Sequence, residues 1–213
     1  MNAYYIWNLK PNEPNNLPPL KYIKENSKYV DNSYLLGPNE INKEVQSYPD
    51  NKVRELWNRI PWWIVKSDLS RLLVIYNNGG FYFDVDCKIN KNFKNQIGNH
   101  KCILFTEKIL PNTNNLGPRE DKSPERVLRI ANYAFGCTSP KHPFIKDVIN
   151  ESIRRLTKML NEGNNKLQDT DVLWIAGPDV ITSVYHTHKN KYSDILLLDK
   201  SYATNIGFGS WRN

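Results

Sequence analysis

Asp84 and Asp86 stand one residue apart in the stretch SDLSRLLVIYNNGGFYFDVD, residues 67–86, directly after an aromatic run. Like charges at that spacing repel unless something cationic sits between them. In an extended chain, residues i and i+2 project to one face. The pattern therefore predicts that both carboxylates point together while Val85 turns into the packing. Two hard oxygen ligands with neither His nor Cys beside them suit Mg²⁺ or Mn²⁺ rather than Zn²⁺, and such ions keep positions open for substrate phosphates. The plain alternative is a solvated surface turn, the commoner fate of an isolated Asp-x-Asp. Upstream, Asp68 and Arg71 lie three residues apart on a helical pattern and so share a face. They form either an exposed ion pair worth little or, because the helix is otherwise apolar, a buried polar pair that needs a further partner.

The elements that hold these residues can be read from periodicity. WWIVKSDLSRLLVIY has Val65, Leu69, Leu72 and Tyr76 at helical spacing, with Pro61 fitting its first turn and NNGG ending it. FYF follows as a strand, which places the aspartates at a strand's carboxyl end, where open α/β sheets bind ligands. Elsewhere AYYIW, KYVDNSYLLG (closed by GPNE), CILF, ANYAFGC and ILLLD read as strands. Helical patterns cover KVRELWNRI, HPFIKDVINESIRRLTKML and Pro178 to Tyr185, with the apolar stretch VLWIAG between the last two. Residues 107–126 are polar, proline-rich and unpatterned, and read as a long mobile loop of the kind that serves as a lid or acceptor-binding segment. Strands alternating with helices predict a three-layer α/β/α arrangement around a mainly parallel sheet, and no repeat or linker divides residues 1–213, so one domain is expected.

Composition narrows the class. The 213 residues are 39% hydrophobic and 12% aromatic, enough for a folded core. The net charge of +7 is spread along the chain with no run of five like charges. That argues against a nucleic-acid partner and for at most a general attraction to anions such as nucleotides. The three cysteines, Cys87, Cys102 and Cys137, lack metal-ligand spacing and fit buried thiols in a reducing compartment. With no signal-peptide pattern and no apolar run of spanning length, a cytoplasmic location without a membrane span is expected.

At SDLSRLLVIYNNGGFYFDVD the chain resembles the family 32 glycosyltransferases, which include yeast-type mannosyltransferases, capsule sugar transferases and relatives of the glucosylating clostridial toxins. Their pattern of Ser-Asp, Arg, a hydrophobic turn, Gly-Gly, an aromatic residue and Asp-x-Asp is present at matching spacing. More weakly, YYIW with LPP resembles the family's opening strand, NYAFGCTSPKHP its Asn and helix-starting His-Pro, AGPDVIT its Gly-Pro before a helix, and GSW its end. The resemblance implies a GT-A fold and a retaining, metal-dependent transfer of a sugar from a nucleotide-diphosphate donor to a glycan or protein acceptor. It implies Mn²⁺ or Mg²⁺ as the metal and places a UDP-sugar ahead of a GDP-sugar. By analogy Asp86 is the direct metal ligand, Asp84 reaches the metal through water or contacts the ribose and sugar, and Asp68 and Arg71 hydrogen-bond the donor sugar. Trp7 is either a base-stacking aromatic or a core residue, and Asn132 either a donor contact or a buried structural amide. His142 is expected to start a helix, and His186 and His188 to lie on the surface. Aligning Ser210 and Trp211 with the family's Ser-Trp puts Asn205 where a metal-binding His or carboxylate stands, with Trp211 donating to the diphosphate and Gly207 and Gly209 letting the tail close. Two alternatives are a metal-dependent phosphohydrolase, which needs further carboxylates or histidines, and a catalytically silent sugar-nucleotide or glycan-binding module. Oligomeric state is not legible.

Overall fold

A computed structural model describes residues 1–10, 17–163 and 166–207. In chain order they form β1 (Asn2–Ile6), α1 (Leu20–Asn26), β2 (Asn32–Leu36), α2 (Pro38–Ser47), α3 (Asn51–Arg59), α4 (Trp63–Asn78), β3 (Gly80–Phe83), β4 (Cys87–Ile89), α5 (Lys94–Ile97) and β5 (Cys102–Ile109). They continue with β6 (Leu128–Cys137), α6 (Pro143–Asn161), α7 (Asp169–Ile175), α8 (Pro178–His188), β7 (Ile195–Leu198) and β8 (Ala203–Asn205). Six strands make one sheet in the order β2-β1-β3-β6-β5-β7, and β4 pairs with β8 in a second, two-stranded sheet. The pairs β1–β2, β1–β3 and β5–β7 are parallel, while β6 is antiparallel to both neighbours. The expected mainly parallel sheet is therefore present with one reversed strand.

The two faces of the sheet carry different cores. Leu69, Leu72 and Ile75 of α4 and Phe144, Ile145, Val148 and Ile149 of α6 pack on one face with Tyr82 and Phe135. On the other, Tyr5, Phe81, Phe83, Phe93 and Phe105 form an aromatic layer beside β4 and β8. Strand alternation thus sends Phe81 and Phe83 one way and Tyr82 the other, toward α4. Helix α4 is apolar nearly all round and is accordingly buried along most of its length. Gly79, at φ 67°, caps it by donating its N–H to the Ile75 carbonyl at 2.9 Å. Gly80, at φ 75°, turns the chain into β3, where any Cβ would lie 2.8 Å from the Asn2 carbonyl oxygen.

Several expectations need correction. Pro61 precedes the N-cap of α4, Trp62, instead of occupying its first turn. GPNE does not merely close a strand: Pro38 opens α2, and the Gly37 N–H donates to Glu40 Oε2 at 3.0 Å. α1 was not legible either. Residues 107–126 are not a free loop. β5 runs on to Ile109, Leu110 and Leu116 are buried, and Glu120 is buried against Arg155, Oε1 to Nη1 2.8 Å. His142 does start α6, its Nδ1 accepting from the Phe144 N–H at 3.2 Å. His186 is half-buried, with Nε2 2.8 Å from the Leu128 carbonyl oxygen, and burial lowers its pKa. His188 is half-buried too. No helix among the described residues is long and apolar enough to cross a membrane.

Candidate active site

Arg71 is the hub of a polar cluster at the carboxyl end of β3. Its Nη2 lies 2.7 Å from Asp68 Oδ1 and its Nη1 3.1 Å from Asp84 Oδ1. Nη1 also donates to the Asn132 carbonyl at 3.0 Å, and the Asn132 side-chain Nδ2 donates to Asp68 Oδ1 at 3.1 Å. Asp68 and Arg71 are only 5% and 6% exposed, so this is a buried pair and not a solvated one. Its further partner, required by burial, comes from β6. Asn132 reaches α4 because β6 is irregular there. Two residues of advance along β5, from Leu104 to Thr106, are matched by five along β6, from Phe135 to Ile130. Extra residues of this kind bend a strand and re-aim its side chains, often beside functional sites.

Tyr82 was overlooked in the sequence. Its hydroxyl donates to Asp84 Oδ1 at 2.6 Å, and the Arg71 guanidinium sits 4.8 Å from its ring centroid. The signal was present: Tyr82 and Asp84 are two apart at a strand end and share the α4 side of the sheet.

The two aspartates do not lie in an extended strand. β3 ends at Phe83, and residues 84–87 turn, closed by the Cys87 N–H to the Asp84 carbonyl at 2.8 Å. Asp84 stays anchored to β6 through its N–H to the Tyr133 carbonyl at 2.9 Å, and Val85 packs against the aromatic layer as expected. The turn sends Asp84 toward Arg71 and Asp86 toward the chain beyond β8, whose Ile206 N–H donates to the Asp86 carbonyl at 3.0 Å. The carboxylates remain close enough to feel each other. Burial, then the negative charge of Asp84, raises Asp86 to about 6. Burial likewise raises Asp68 to about 6, outweighing the opposing effect of Arg71.

Asn205 lies opposite Cys87 in the β4–β8 pairing, immediately beside the turn, and its buried Oδ1 has no hydrogen-bond partner among the described residues. Gly207 follows so closely that an added Cβ would come within 2.2 Å of Asp86 Oδ2. Asp86 thus has a carboxylate without an ion pair among the described residues, and Asn205, on the strand paired with the residue after it, has an amide oxygen with no partner there; both are oxygen ligands of the kind a hard divalent cation takes. Trp7 is half-buried just past β1, its N–H bonded to the Leu36 carbonyl at 3.0 Å. From the pairing of Tyr4 with Tyr82, it lies at the same carboxyl edge as the aspartates. Ser210, Trp211 and Gly209 fall outside the described residues.

A second cluster of ligand-type atoms, from Cys102, Cys137 and His142, is buried with all three within 4.8 Å of one another. It is satisfied without a cation. Nδ1 of His142 caps α6, Nε2 lies 3.3 Å from Asp194 Oδ2, and burial keeps the Cys102 thiol protonated.

Residues 12–104, which include Asp68, Arg71, Asp84 and Asp86, match the family described as a glycosyltransferase sugar-binding region containing a DXD motif. Among solved structures, the chain is similar to PaToxG glycosyltransferase with a TM-score of 0.52 at 16% identity, over 88% of this chain and 69% of that one. A transferase mutant aligns with a TM-score of only 0.30 at 7% identity, over 82% and 74% of the two chains, too distant to inform the reading. No curated protein matches the sequence. Residues 12–104 are thus similar to a sugar-binding region containing a DXD motif, and the chain shares its fold with a glycosyltransferase.

Proposed function

We propose that the chain is a retaining, metal-dependent glycosyltransferase of the family 32 kind, moving a sugar from a nucleotide-diphosphate donor, UDP-linked ahead of GDP-linked, to a hydroxyl of a glycan or protein acceptor. The observation that carries this reading is a set of buried polar atoms around the aspartate turn that have no hydrogen-bond partner among the described residues: Arg71 Nε, Asn132 Oδ1 and Asn205 Oδ1. Buried polar groups are normally satisfied; Arg126 and His186 also carry open atoms elsewhere, but these three belong to residues of the aspartate cluster, where a ligand would complete the network. Arg71 Nε is a donor and Asn132 Oδ1 an acceptor, on two residues that are themselves linked by the hydrogen bond from Arg71 Nη1 to the Asn132 backbone carbonyl. A sugar hydroxyl, donor and acceptor at once, is the complement of that pair.

Asp86 and Asn205 would hold Mn²⁺ or Mg²⁺, with Asp84 contributing through water. When bound, the ion would supply electrophilic stabilisation of the departing nucleoside diphosphate. Asp68, paired with Arg71, would accept from sugar hydroxyls, and Arg71 holds Asp68 and Asp84 together through its forked guanidinium. Trp7 would stack on the base, and by resemblance alone Trp211 is assigned to the diphosphate and Ser210 to donor binding. A two-metal phosphohydrolase is disfavoured because Asp68 and Asp84 are already committed to Arg71.

The test is release of nucleoside diphosphate from a panel of UDP- and GDP-sugars, with and without Mn²⁺ and with candidate acceptors. Metal-dependent release from one donor, abolished in Asp86→Asn without loss of fold, is expected. Full turnover by Asp86→Asn would sink the assignment.

A further inference from the structure

We infer that Asn26, at the end of α1, is a positioning residue for the metal-holding corner of the site, an inference that rests on the reading above. β4 is only three residues long and is paired along one edge with β8. Its other edge faces the interior, with Cys87 and Ile89 buried. The pairing turns the Cys87 carbonyl and the Ile89 N–H toward that edge, since the Asp86 carbonyl and the Asn90 N–H bond across to Ile206 and Tyr202. Groups so placed must find partners. Asn26 supplies both. Its Nδ2 donates to the Cys87 carbonyl at 2.8 Å, and its Oδ1 accepts from the Ile89 N–H at 2.8 Å. The amide therefore does what one residue of a third strand would do, and it is fully buried. A planar side chain with a donor on one atom and an acceptor on the other is needed for this, which restricts the position to an amide. Nδ2 also lies 3.4 Å from the Tyr5 hydroxyl on β1, tying the clamp to the central sheet.

The consequence reaches the site because of where β4 begins. Cys87 directly follows Asp86 and faces Asn205 across the ladder. Holding the Cys87 carbonyl fixes the backbone from which Asp86 projects and keeps the register that sets Asn205 opposite Cys87, the residue next to Asp86. A two-stranded ribbon with a three-residue strand is marginal alone, so without Asn26 the corner loosens before the fold does.

The experiment measures Mn²⁺ affinity by the electron paramagnetic resonance signal of free Mn²⁺, at a temperature where every variant is folded by circular dichroism. Asn26→Asp keeps the acceptor for Ile89 and loses the donor to Cys87, and Asn26→Leu loses both. Val30→Ala, a core truncation in the same layer, is the control for general destabilisation. The expected result is at least tenfold weaker Mn²⁺ binding in both Asn26 variants, faster amide exchange across β8, and affinity within twofold of the parent in Val30→Ala. Should Asn26→Leu fail to fold, Asn26→Asp alone decides. Affinity within twofold of the parent in Asn26→Asp, or an equal loss in Val30→Ala, overturns the role. A parent protein that shows no Mn²⁺ binding refutes the metal corner itself, and the Asn26 role with it.

Discussion

Lowering the pH should weaken metal binding through one identifiable proton. Burial and the neighbouring Asp84 charge raise Asp86 to about 6, above the 3.8 of an exposed aspartate. A cation at this corner must displace that proton, so affinity is complete above neutrality and is lost as pH falls through the folded value. With a value near 6, roughly nine-tenths of Asp86 is ionised at pH 7 and roughly a tenth at pH 5, and affinity should drop about tenfold over that interval. The stability of the metal-free protein carries the opposite sign. An acid whose folded pKa is raised binds more protons folded than unfolded between 3.8 and about 6, so its contribution to stability falls as pH rises through that window. Mn²⁺ should therefore raise the melting temperature more at pH 7 than at pH 5. The assay is Mn²⁺ titration at several pH values using the metal alone, because a terminal phosphate titrates in the same range. Asp68 is raised to about 6 as well but lies behind Arg71. The Asp86→Asn variant separates the two and should bind weakly at every pH. Affinity that does not change between pH 5 and 7.5 in the parent, or a pH dependence that survives in Asp86→Asn, would refute the reasoning.

Two further substitutions test the rest of the cluster. Arg71→Lys keeps the charge but cannot span Asp68, Asp84 and the Asn132 carbonyl together. Losing one or two charge-assisted hydrogen bonds, each worth about 1.5–3 kcal/mol, should lower kcat/KM by roughly tenfold or more, beyond any change in melting temperature. A fall only in proportion to unfolding would make the residue structural. Gly207→Ala adds a Cβ within 2.2 Å of Asp86 Oδ2, and the carboxylate can swing aside at little cost to the fold. Mn²⁺ affinity should drop about tenfold, as for loss of one ligand's geometry, with the melting temperature nearly unchanged. Unaltered affinity would show that Asp86 does not bind metal in the orientation described.

Much of the site was legible because its determinants are local. Asp68 and Arg71 share a face through helical spacing, Gly79 and Gly80 provide the left-handed turn, and Asp84 and Asp86 follow at a strand's end. Each of these depends on residues a few positions apart, where backbone geometry alone sets direction. Tertiary structure decided what lies further away. The pairing of Cys87 with Asn205 spans most of the chain, and no periodicity announces it. Asn132 meets Asp68 only because β6 takes on extra residues opposite β5, and Asn26 meets β4 only because α1 packs against its open edge. The segment 107–126 looked free for the same reason. Its anchors, such as Glu120 to Arg155, are single charged contacts between distant elements and leave no pattern in sequence. Even the aspartate turn changed character. Alternation predicted a shared face, but the hydrogen bond closing residues 84–87 divides the pair, Asp84 toward Arg71 and Asp86 toward β8. Side-chain type and short spacing thus named the chemistry, whereas its geometry came from strand pairing and burial, which depend on the whole fold.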